Sequence, residues 1–177
     1  MTTGPAVIRE LTSVSEAELR GLGDVLIDIV EGGDSVGFMD PLSPERARQF
    51  WARIADDAAR GTRALLVAED EHGILGTVHL VLEQPENQPH RADLSKMLVH
   101  RRARRRGIGA ALLAAAERLA VERGRTLLVL DTASADAERL YARAGWIRVG
   151  VIPGFALMPD GAPCATTLFY RDLRGTA

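Results

Sequence analysis

Residues Arg104-Arg105-Arg106-Gly107-Ile108-Gly109 stand where a strand hands over to a helix. Ala92 to Val99 before them reads as a strand, and Gly107 to Glu122 is rich in alanine and leucine, the composition of a helix. Two glycines two apart at such a crossing put several backbone N–H groups within reach of an anion. A helix N-terminus leaves four donors without intrahelical partners and carries a positive partial charge. The joint therefore suits a phosphate group. Which phosphorylated ligand fits depends on the rest of the chain.

Around this joint the elements follow in order. Ala6 to Leu11 reads as a first strand. Ser15 to Val30 reads as a helix, opened by Ser15 and Glu18 at capping-box spacing and stopped at Gly32-Gly33. Gly33 to Leu42 is a loop. Ser43 then caps a second helix, with Pro44 at its first position, running to about Arg60. Arg63 to Glu69 and Ile74 to Glu83 make a hairpin, and Gln84 to His90 breaks the sheet before a strand over Arg91 to Val99. Thr126 to Leu130 is an apolar run suited to a buried strand. Ala135 to Ala144 forms a short helix ending at Gly145. Trp146 to Val151 and Thr166 to Tyr170 read as antiparallel strands at or near an edge, separated by a turn at Pro159-Asp160-Gly161. The order β-α-α-β-β-β-α-β-α-β-β is that of one mixed α/β domain.

Composition removes several classes. The 177 residues carry a formal net charge of -2, so charge alone gives no reason to expect nucleic-acid binding in spite of the arginine run. The single cysteine, Cys164, permits neither an intrachain disulfide nor a cysteine metal cluster. The four histidines lack ligand spacing, so no metal is expected. The first residues, MTTGPAVIRE, lack the apolar core of a signal peptide, and no apolar run is long enough to span a membrane. A cytoplasmic protein, monomer or homodimer, is the expectation.

The motifs resemble the GNAT superfamily of acetyl-CoA-dependent N-acetyltransferases. The likeness begins at Leu94-Ser95-Lys96-Met97-Leu98-Val99 and continues through Arg104 to Gly109, which fits an Arg/Gln-x-x-Gly-x-Gly/Ala loop. It resumes at Leu127 to Asp131 and at Ala137 to Trp146, a helix-borne tyrosine followed by Gly-Trp. Arg101, where the family commonly has proline, and Arg105, where glycine is common, depart from the pattern. Glu31 to Met39, Ile152 to Phe155 and Pro159 to Gly161 look like the tabtoxin resistance acetyltransferases, which modify an amino-acid-like β-lactam toxin.

The resemblance implies a single GNAT domain over 1–177: a mixed twisted sheet flanked by helices on both faces and splayed beyond Val99. Its acetyl-CoA-binding core lies at about 91–150 and its acceptor-side elements at about 1–60. It implies that Arg104, Arg105, Arg106, Gly107, Ile108 and Gly109 hold the pyrophosphate. Backbone groups of Met97, Leu98 and Val99 would pair with the pantetheine arm. Tyr141 would act as general acid towards the thiolate. Asp93 lies eleven residues before Arg104, where histone-acetylating relatives carry a base glutamate. Period-two alternation places Asp93, Ser95 and Met97 on one face of the strand and Leu94, Lys96 and Leu98 on the other. Asp93 is a base or an ammonium ligand on this reading, or else the partner of Arg91 or His90, or a residue of a solvated edge. Asp131, at the end of the central strand, accepts from an ammonium group or caps a turn. Glu31, Asp34, Phe38 and Phe155 are the candidates for holding the acceptor. That acceptor is expected to be a small amine, amino-acid-like or toxin- or antibiotic-like. The alternatives are a protein or peptide acetyltransferase acting on lysine or the N-terminus, and a noncatalytic acyl-CoA-binding module.

Overall fold

The computed structural model describes residues 5–175; the ends of the expected single-domain span, 1–4 and 176–177, lie outside them. The strands are β1 (Val7–Glu10), β2 (Arg63–Asp70), β3 (Gly73–Val81), β4 (Arg91–Val99), β5 (Leu127–Thr132), β6 (Ile147–Leu157) and β7 (Pro163–Asp172). The helices are α1 (Glu16–Glu31), α2 (Pro44–Ala59), α3 (Ile108–Glu122) and α4 (Ala135–Arg143). All seven strands join one sheet in the order β1-β2-β3-β4-β5-β7-β6. Every neighbouring pair is antiparallel except β4 and β5, which run parallel.

Side-chain alternation sorts the sheet into two cores. Ala64, Leu66 and Ala68 of β2 pack with Leu112, Leu113 and Ala116 of α3 on one face. Leu65 and Val67, their neighbours in sequence, pack with Leu22, Leu26 and Ile29 of α1 and Trp51 of α2 on the other. The helix signals act as the sequence implies. Ser15 and Glu18 form the reciprocal capping box of α1, and Ser43 caps α2 with Pro44 in its first turn. Gly76 of β3 sets how closely α3 approaches. A Cβ there would stand 2.7 Å from the Leu98 carbonyl oxygen and 3.2 Å from Leu112 Cδ1.

Two expectations change. The β4 alternation does not run through to its end. Lys96 sits at φ 52, and the β3–β4 register slips between Thr77 and His79, so a bulge resets the pleat. Leu94 consequently packs in the α3 core and Leu98 in the α1–α2 core, not on one face, and Met97 joins the α3 side. The second change is at the far edge. The last hairpin is longer than the apolar runs suggest, because pairing resumes past two irregularities in β6 and reaches Leu157 opposite Pro163. Gly150, Pro153 and Gly154 disguise that extension in sequence. As the edge strand, β6 leaves Ile147, Val149, Val151, Ile152, Phe155 and Leu157 exposed.

β4 and β5 pair at only three positions: Arg91 with Leu127, Ala92 with Leu128 and Asp93 with Val129. Beyond them the strands part, so the splay expected beyond Val99 begins earlier, after Asp93, within β4 itself. The opening lies between Leu94–Val99 and Leu130–Thr132, with the start of α3 at one end.

Candidate active site

The phosphate loop is shaped by its backbone. Arg101 to Ala103 make one 3-10 turn, and α3 opens after Gly107, which is left-handed at φ 77 and supplies no side-chain cap. Arg105 is also left-handed, at φ 62, which explains why a glycine is at home in that position. Turns that alternate in this way aim successive N–H groups into one concavity, here beside the uncapped first turn of α3. The two glycines serve different ends. A Cβ on Gly107 meets nothing within 4 Å, so its positive φ is the requirement. A Cβ on Gly109 would sit 3.3 Å from Leu140 Cδ2, so that glycine admits α4.

Most of the arginines around the loop are tethered. Arg101 donates its N–H and its Nε to the two Asp28 oxygens, each at 2.8 Å. A proline could not supply that first bond, which gives the departure from the family pattern a structural use. Arg102 donates to the Ile74 carbonyl at 3.1 Å. Arg104 pairs with Asp34 at 2.6 Å, and Arg106 stands 3.6 Å from Asp70.

At the other end of the opening, side chains from many elements meet. Asp131, on the β5 lip, accepts from Thr166 Oγ1 of β7 at 2.7 Å through Oδ2. Tyr141 of α4 is 3% exposed, with its ring against Trp146 at 5.6 Å and Phe169 at 5.8 Å. Burial first, and then the Asp131 carboxylate, raise the hydroxyl's pKa above its ordinary value, so it stays protonated at neutral pH. Across the opening, Lys96 lies over the Phe50 ring at 5.8 Å, and Phe50 meets Phe38 edge-on at 5.1 Å. Burial depresses the Lys96 ammonium, and Asp131 partly offsets this.

Beneath Lys96, Arg63 Nη1 lies 3.2 Å from His79 Nε2, while its Nε donates to Asp57 at 2.7 Å. Because Arg63 can only donate, Nε2 of His79 must accept, which assigns the proton to Nδ1. Burial, with help from Arg63 and Lys96, drives the His79 pKa down to about 3. The imidazole is therefore neutral in ordinary buffers.

The loop between α1 and α2 roofs this region. Ser35 donates to the Leu157 carbonyl at 2.9 Å, and the Asp40 N–H to the Pro159 carbonyl at 3.1 Å. A Cβ on Gly37 would stand 3.7 Å from Lys96 Nζ.

The expected residues thus divide. Tyr141 and Asp131 come together, and Phe38 joins them through Phe50 and Lys96. Met97, Leu98 and Val99 line the opened stretch of β4, without a strand on the β5 side. Asp93 lies at the last paired position, where Arg91 holds one oxygen and Gln84 donates to the other at 3.2 Å. It is thus engaged by Arg91, one of the two partners considered for it. Glu31 stands 3.7 Å from Arg101 and Asp34 pairs with Arg104, so both carboxylates are engaged by arginines of the loop before α3. Phe155 is exposed on β6. Lys96, Arg63 and Thr166 were not expected. The bulge that turns Lys96 towards Phe50 has no signature in a period-two reading.

The fold agrees with known proteins. Residues 26–146 match the model of the Acetyltransferase (GNAT) family. The chain belongs to that family. Among solved GNAT-fold structures, an N-acetyltransferase from Staphylococcus aureus Mu50 superposes with a TM-score of 0.79 at 18% identity, over 97% of this chain and 100% of that one. A ribosomal-protein-alanine N-acetyltransferase from Brucella melitensis gives 0.77 at 25% identity, over 94% and 99%. A phosphinothricin acetyltransferase from Sinorhizobium meliloti, solved in complex with acetyl-CoA, gives 0.77 at 21%, over 95% and 88%. No helix among the described residues is long and apolar enough to cross a membrane.

Proposed function

We propose that the chain transfers the acetyl group of acetyl-CoA directly to the primary amine of a small, amino-acid-like acceptor. The observation that carries this reading is the β4–β5 opening, with an uncapped helix N-terminus at one end and Tyr141 beside Asp131 at the other. The loop fits the donor's anionic end: positive-φ turns, unpartnered helix donors and nearby arginines converge there. Backbone groups of Met97, Leu98 and Val99 suit an amide-bearing arm. Acetyl-CoA supplies the acyl group already activated as a thioester.

The chain's own residues then have separable tasks. Asp131, with one oxygen held by Thr166, offers the other to an ammonium group and can carry away its proton. Tyr141, kept protonated, donates from its hydroxyl to a departing thiolate. Ser35 and Asp40 tie the loop between α1 and α2 to the last hairpin, and that loop passes beside Lys96 at Gly37. A loop held down in this way supports a small acceptor over a protein tail; a cytoplasmic setting with free acetyl-CoA and a part in detoxifying amino-bearing compounds complete the proposal.

Free-thiol release measured across small amines and lysine peptides tests this. Small amines should be acetylated more efficiently than peptides. Peptides far ahead of every small amine would overturn the acceptor class. Acetyl-CoA binding without thiol release from any amine would favour a noncatalytic module.

A further inference from the structure

Lys96 is the only lysine in the chain; the other 21 of its 22 basic residues are arginine. It occupies the β4 bulge at φ 52, a conformation that strains an L-residue. Its ammonium rests over Phe50, and among the described residues it makes neither an ion pair nor a hydrogen bond. Asp131 acts on it electrostatically from the opposite lip without forming a pair. Two buried groups on the same side of the sheet also have no partner, Trp51 Nε1 and His79 Nδ1, in rings 6.4 Å apart. All three unpaired groups are donors. The β4 side therefore asks for an anion, whereas Asp131 on the β5 side asks for a cation.

We propose that Lys96 is a specificity-determining residue that reads the carboxylate of a free α-amino acid while Asp131 holds the same molecule's ammonium group. This rests on the acetyltransferase reading above. A zwitterion presents its two charges side by side, in the sense that Lys96 and Asp131 face each other. A polyamine would set a second cation against Lys96. A lysine within a peptide brings no carboxylate to it. Lysine suits the place because its ammonium is a compact point charge on a slim stem, whereas a guanidinium is a broad planar fork. A partly buried cation with no counter-ion is costly, and an arriving carboxylate offsets that cost.

The test compares free L-amino acids with their carboxamides and with the amines lacking the carboxyl group, by thiol release. The acid should exceed its carboxamide in kcat/KM by about 10- to 100-fold, the worth of one charge-assisted hydrogen bond. Lys96→Met should bring that ratio within about threefold, through acceptor KM and with acetyl-CoA KM unchanged. Equal use of acid and amide by the parent protein, or a preference that survives Lys96→Met, would overturn the proposal. If amines are acetylated without regard to a carboxylate, this inference fails while the acetyltransferase reading stands. A second readout needs neither variant nor turnover. Reductive methylation with 13C-formaldehyde labels one lysine, whose NMR signal should shift on adding an accepted amino acid and not on adding its carboxamide. No shift with any of the free amino acids sinks the proposal even if no amine is acetylated.

Discussion

The phosphate loop and the chamber around Asp131 share one opening but are built from different materials. The loop is backbone: Arg105 and Gly107 in left-handed conformations and a helix start with its donors bare. The chamber is side chains, gathered from β2, β3, β4, β5, β7, α2, α4 and the loop between the first two helices. Backbone geometry tolerates many side chains and needs few special residues. A chamber of side chains depends on each identity and on burial that shifts their protonation. Substitutions should therefore separate the two ends. Loop changes should alter coenzyme affinity, and chamber changes turnover or acceptor use.

The widest separation is expected at Tyr141. Tyr141→Phe should lower kcat by about 100- to 10,000-fold, the range of general acid catalysis, with acetyl-CoA Kd within about twofold by calorimetry. An unchanged kcat would remove the hydroxyl from the reaction and leave the chamber a packing device.

Next comes the scaffold that holds both ends in place. Gly76→Ala puts a methyl 2.7 Å from the Leu98 carbonyl oxygen, which belongs to backbone and cannot swing aside. A loss of about 1–3 kcal/mol in urea unfolding is expected, with weaker coenzyme binding. Full stability would mean that α3 and β4 yield easily.

The chamber's buried imidazole should also show itself in acid. His79 ionises at about 3 when folded and at its ordinary value of 6.5 when unfolded. Between those values the unfolded chain binds the extra proton, so stability falls as pH falls through that window. The slope contributed is at most about 1.4 kcal/mol per pH unit, and it is absent above 6.5. His79→Gln should flatten the unfolding free energy between pH 4 and 6 by that slope. An unaltered slope would place a charged histidine in the chamber.

On the loop side, Gly107→Ala adds a methyl that touches nothing, so its cost is conformational, about 1–2 kcal/mol. Acetyl-CoA Kd should rise by about tenfold at most, with kcat at saturation kept. A fall in kcat alone would blur the division.

The smallest effect is expected at Asp34. Its pair with Arg104 is well exposed on both sides and worth under about 1 kcal/mol. Asp34→Asn should raise coenzyme KM by less than about fivefold and leave acceptor KM alone. The reverse pattern would return Asp34 to the acceptor side.

The loop was legible in sequence because its signals are local. Glycine spacing, the strand before it and the helix after it all fall within a few turns of chain. The same holds for the caps at Ser15 and Ser43, and for Tyr141 and Asp131 at either side of one short connection. Lys96 was misplaced because alternation was carried through a bulge, and a bulge depends on how two strands pair. The partner of Asp34 was not legible, because its arginine lies 70 residues away. The setting of His79 is likewise long-range, since Arg63 and Trp51 meet it only in the fold.

By itself, then, the sequence determined the order of elements, the glycine-bearing joint between β4 and α3 and the position of the tyrosine on the helix after the central strand. Each depends on propensities and capping that act between near neighbours. Only the tertiary structure decided which carboxylate stands free at the lip, which is spent on an arginine, and what the lone lysine faces. Those outcomes turn on long-range pairing and burial, since a charge takes its protonation and its partner from whatever the fold brings beside it.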